Sequence, residues 1–77
     1  MEEKDFIGYH EWGIRVSRLM ELIAMTNRTI QVHREEGDSE LYIKQYEEVL
    51  ERHTDELQEL MKVMGLAVQL TPLSNVA

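Results

Sequence analysis

The feature that most constrains this chain is a pair of helical apolar stripes set in near mirror symmetry about one turn, Glu35-Glu36-Gly37-Asp38-Ser39. Before the turn the stripe reads Tyr9, Trp12, Val16, Leu19, Ile23, Thr26, Ile30 and His33. After it the stripe reads Ile43, Tyr46, Leu50, His53, Leu57, Leu60 and Met64. Both step by alternating threes and fours. That spacing keeps side chains on one face of an α-helix and is out of phase with the two-residue alternation of a strand. The fold class this implies is all-α, a two-helix antiparallel hairpin, because so short a connection makes its helices antiparallel neighbours.

The local chemistry sets the expected bounds. Asp5 is a candidate N-cap, its carboxylate accepting from a free amide of the first turn, so helix one is expected over 5–36. Gly8 and Gly13 fall inside that span, each at a cost of about 1 kcal/mol relative to Ala. Gly37 suits the left-handed position just past a helix end, which places the turn at 37–38. Asp38 or Ser39 then caps helix two, with Glu40 favourably placed in its first turn. Gly65 offers an early stop. Val68 nevertheless continues the stripe four residues after Met64, and Pro72 is the firm breaker, so helix two is expected over 39–70. Each arm would then be about 48 Å long. Residues 72–77 are expected to form a flexible tail, and the whole chain 1–77 a single small domain.

A second apolar row lies beside the first: Leu22, Met25 and Val32 on helix one, and Val49, Met61 and Val63 on helix two. A face this wide suits a helix that touches two neighbours, and two hairpins supply four helices. The expected assembly is a homodimeric four-helix bundle, a coiled-coil-like packing with a left-handed twist and crossings of roughly 20°. Its interface is expected to draw on Trp12, Val16, Leu19, Ile23, Ile30, Tyr46, Leu50, His53, Leu57, Leu60 and Met64. A chain of 77 residues buries a modest fraction of its surface, which adds to the case for association.

Charge narrows the partners. Eight basic and fifteen acidic residues give a net charge of −7. That opposes nucleic acid, whose phosphates require a basic face, and equally an anionic membrane surface. The distribution is uneven. Between His10 and Arg34, Arg15, Arg18, Arg28 and Arg34 outweigh Glu11 and Glu21, whereas acids dominate between Asp38 and Met64. Unlike helices of this kind pair within or between chains. A sharper alternative, an anion-binding face carrying Arg15 and Arg18, competes with the ordinary exposure of arginine rows on helices. The chain has no cysteine, hence no disulfide or thiolate site. Its acidic start, Met1-Glu2-Glu3-Lys4-Asp5, lacks the basic region and apolar run of a secretory signal, so a cytoplasmic location is expected.

Sites for chemistry are sparse. Carboxylate-bridged metal bundles use inward Glu-x-x-His pairs, but Ile7, Ile30 and Leu50 stand three residues before His10, His33 and His53. In a hairpin turning at 37–38, facing residue numbers sum to about 75. His53 then faces Leu22 or Ile23, and His33 sits near Tyr42. Buried polar residues of this sort set register in coiled coils; the alternative is a metal- or ligand-sensing bundle built on the His and Tyr residues. Trp12 falls level with Gly65, where a missing side chain would admit the indole. Nucleophile motifs, phosphate loops and cofactor fingerprints are absent from the sequence. The expectation is therefore a non-enzymatic interaction module without cofactors, a scaffold, adaptor or regulatory subunit that binds a second copy of itself. An inhibitor- or antitoxin-like chain covered by a different protein is the other protein-binding possibility.

Overall fold

The computed structural model describes residues 7–71 and 73. It is an α-helical hairpin: α1 (Tyr9–Glu35) and α2 (Glu40–Lys62) pack against each other along their lengths. The stripe residues from Trp12 onward form the seam, while Tyr9 stands exposed at the start of α1. Ile30 and Leu57 are fully enclosed, at 3% and 0% exposure. Trp12, Val16, Leu19, Ile23, Leu50, His53, Leu60 and Met64 are half-buried, while Tyr46 lies open near the turn. Among the described residues no helix is long and apolar enough to cross a membrane.

The start of α1 differs from the expected one. Asp5 lies outside the described residues, and Gly8, with extended backbone (φ −68°, ψ 158°), takes the N-cap position without a side-chain cap bond. Its carbonyl accepts from the Trp12 amide at 2.9 Å. Glycine costs more to hold in a helix than any residue but proline, and here helical geometry begins just after it.

The turn forms as expected. The Asp38 amide donates to the His33 carbonyl and the Gly37 amide to the Arg34 carbonyl, at 3.0 and 3.2 Å. Gly37 has φ +72°. These bonds satisfy carbonyls that the helix end would leave unpaired. Ser39 then starts α2, its hydroxyl accepting from the Leu41 amide at 3.1 Å.

The end of α2 corrects the sequence reading. The helix stops at Lys62 rather than Leu70. Gly65 adopts φ +73°. The Leu66 amide donates to the Met61 carbonyl and the Gly65 amide to the Lys62 carbonyl, at 3.0 and 2.9 Å. Periodicity at Val68 thus loses to a complete set of cap bonds. A Cβ built at Gly65 would meet nothing within 4 Å, so this glycine does not make room for the indole; it supplies the left-handed backbone.

Beyond Gly65 the chain turns back along the hairpin without regular structure. Leu66 to Gln69 share a recess with Gln58 and Lys62. Leu70 and Thr71 reach Met20, Ile23, Ala24, Leu50 and Thr54, almost halfway to the turn. The Gln58 amide donates to the Val68 carbonyl at 3.5 Å. Of the expected tail, Pro72 and residues 74–77 lie outside the described residues, and Leu73 is exposed.

Candidate functional site

Two helices packed side by side have two broad faces, one on each side of the seam. On this molecule the faces are unlike. One is overlaid from the open end to mid-height by the returning segment 66–71. Its half nearer the turn is polar, with Arg34 paired to Glu47 across the helices beside Asp38 and Lys44.

Among the described residues the other face carries no covering segment. Near the open end it is a groove floored by Leu19 and Leu60 and flanked by Ile14 and Val63. Arg15 and Arg18 stand on its α1 side; Arg52, Asp55, Glu56 and Glu59 stand on its α2 side. Large apolar side chains are left in solvent along it: Ile14 at 54%, Met25 at 58% and Val63 at 51% exposure. Leu22, Val32 and Val49 are half-exposed. The spacing 14, 18, 22, 25, 29, 32 is itself a helical row, interrupted by Arg18 and Thr29. The second apolar row of the sequence thus belongs mainly to this face, with Met61 the exception by its position on α2. Ile14 escaped the sequence reading because Arg18 breaks its run; the three-and-four spacing across that arginine was the available signal.

Of the charged side chains on the groove walls, Arg15, Glu56 and Glu59 are paired along their own helices, not across the seam. Arg15 donates to Glu11 at 3.2 Å, His53 contacts Glu56 at 3.4 Å and Lys62 donates to Glu59 at 3.2 Å. Exposed pairs of this kind stabilise little and leave the charges free to meet another partner.

Trp12 ties the open end together. Its indole N–H crosses to the Leu60 carbonyl at 2.8 Å. That carbonyl lies in the last turn of α2, where intrahelical partners run out, so the side chain of one helix caps the other.

At the turn, His33 gathers three partners. Its Nδ1 lies 2.6 Å from Asp38 Oδ2. Its ring stacks on Tyr46 with centroids 5.3 Å apart and lies 6.3 Å from Tyr42. The expected proximity of His33 and Tyr42 is therefore present, and the cluster closes the hairpin at its turn. His10 is exposed near the opposite end. Among the described residues no group of three or more His, Asp and Glu side chains is placed to hold a metal ion.

Set against known proteins, the chain finds no counterpart: no family model matches it, and no curated protein and no solved structure is significantly similar.

Proposed function

We propose that this chain is a non-enzymatic self-association module, a hairpin completed by a second copy into a four-helix bundle. The observation that carries the reading is the disproportion between its core and its surface. Ile30 and Leu57 are the buried side chains among the described residues, while Ile14, Met25, Tyr42 and Val63 are more than half exposed on or beside one uncovered face. An apolar face of this kind gains free energy when covered, at about 25 cal/mol per Å². The half-buried stripe residues, from Trp12 to Met64, would lie beneath or beside such an interface, and Ile30 and Leu57 would stay within each hairpin.

Sedimentation equilibrium at micromolar concentration tests the reading. The expected species has twice the chain mass of 9.1 kDa, with a melting temperature that rises with protein concentration. Replacing the exposed Ile14 and Met25 together with Lys should give monomers that melt earlier. A wild-type monomer that unfolds cooperatively and independently of concentration would overturn the proposal.

A further inference from the structure

We infer that the second copy docks with its turn at the same end as the first, so that each α1 packs on the partner's α2. The inference rests on the self-association proposed above and assigns its geometry.

Two identical hairpins meeting by their open faces have two symmetric choices. A two-fold axis across the helices puts the turns at opposite ends and sets α1 on α1. A two-fold axis along the helices puts the turns together and sets α1 on α2. Charge along the open groove decides between them. The Trp12–Leu60 bond fixes which residues are level at this end of the hairpin. Counting from it, Arg15 lies within one residue of the level of Glu56, Arg18 of Asp55, and Glu21 of Arg52. The α1 wall of the groove carries two positive charges, and the α2 wall carries negative charges at the same heights. These charges do not pair across the groove of their own hairpin; the neutralised ones are tied along their own helices.

With the axis along the helices, level is preserved. Each basic wall then meets the partner's acidic wall, twice per dimer. Among the apolar positions, Met25 comes within two residues of the level of the partner's Val49. With the axis across the helices, level is inverted. About the mid-height of α1, Arg15 and Arg18 are carried towards the partner's Thr29 and Met25, and Glu56 and Glu59 towards Gln45 and Tyr42. Charges would then be desolvated without a partner of opposite sign, which is costly.

The test combines a distance with a mixing experiment. The chain lacks cysteine, so Glu36→Cys gives a single nitroxide site beside the turn. Turns at the same end place the two labels within about 25 Å, since packed helices lie about 8–10 Å apart. Turns at opposite ends place them about 40 Å apart, the length of α1. In parallel, a chain carrying Arg15→Glu and Arg18→Glu is mixed with one carrying Glu56→Arg and Glu59→Arg. Each alone should dimerise about ten-fold or more weakly than wild type, and the mixture should favour the heterodimer over the statistical ratio. A wild-type dimer with the long label distance, or with no heterodimer preference, overturns this geometry and leaves self-association standing. A wild-type monomer in sedimentation overturns both.

Discussion

At the end of α1 the amides of Asp38 and Gly37 bond to the carbonyls of His33 and Arg34; at the end of α2 the amides of Leu66 and Gly65 bond to those of Met61 and Lys62. The glycines match to a degree, with φ of +72° and +73°. The two ends are the same motif, yet the chain does opposite things after them. After Gly37 come Asp38, Ser39 and Glu40. A hydroxyl there caps new amides, and an acid favours the positive end of the new helix dipole. After Gly65 comes Leu66-Ala67-Val68-Gln69-Leu70, with no residue of the Ser, Thr, Asp or Asn type until Thr71, directly before Pro72. The helix is ended but not restarted, and the chain returns along the hairpin. The cap stops a helix; the residues after the cap decide what replaces it. Here that decision covers one face of the hairpin, and among the described residues the other stays open.

The comparison breaks hardest at the first end. Gly37→Val forces a β-branched residue into the left-handed region, at a cost of at least about 1–2 kcal/mol. Nothing lies within 4 Å of a Cβ there, so the cost is conformational, not steric. The strain has no easy exit: moving the turn by one residue slides α2 against α1 and rotates its stripe away from the seam. The melting temperature should fall by about 4–8 °C per kcal/mol lost. Glu36→Ala, beside it and exposed, should change stability by less than about 0.5 kcal/mol. Equal, small shifts for both would show that the turn tolerates a side chain at positive φ.

Trp12 sharpens the second end. Trp12→Phe keeps most of the ring but removes the donor to the Leu60 carbonyl. The lost bond and the unpaired carbonyl together should cost about 1–2 kcal/mol. A melting curve that matches wild type would mean that water takes over the carbonyl and that the indole bond is incidental to the end of α2.

The helices, their antiparallel pairing, the turn at Gly37 and the cap at Ser39 were legible in the sequence because each is a local signal. Period and turn chemistry both pointed the same way. The fate of residues 66–71 was not. Val68 falls on the helical stripe, so periodicity argued for helix while Gly65 argued for a stop. Two signals of about 1 kcal/mol each were in conflict, and the tertiary contacts that break such a tie are not written in local spacing. The width of the apolar face was legible through Met25, Val49 and Val63. Which part of it stays open was not, because that depends on where the returning segment lies.

That near-tie gives the last and smallest effect on stability, and the most informative one. At Gly65, unlike Gly37, the strain of a side chain has an exit, because α2 can simply continue. Gly65→Ala penalises the left-handed turn by roughly 1 kcal/mol and favours helix by about as much. Little opposes the change. The returning segment is lightly held, with Leu66 and Leu70 at 51% and 36% exposure and the Gln58–Val68 bond at 3.5 Å. The expected outcome is an α2 that runs on towards Pro72, along the stripe marked by Met64 and Val68. Far-UV circular dichroism should show about a sixth more helix, roughly eight residues added to the 27 of α1 and 23 of α2, with stability nearly unchanged. The extension would also bare the face that 66–71 now covers, so the variant should associate more readily than wild type. Unchanged helix content with a melting temperature lowered as far as for Gly37→Val would mean that the returning segment is held as firmly as the turn, and that the two ends differ less than their surroundings indicate.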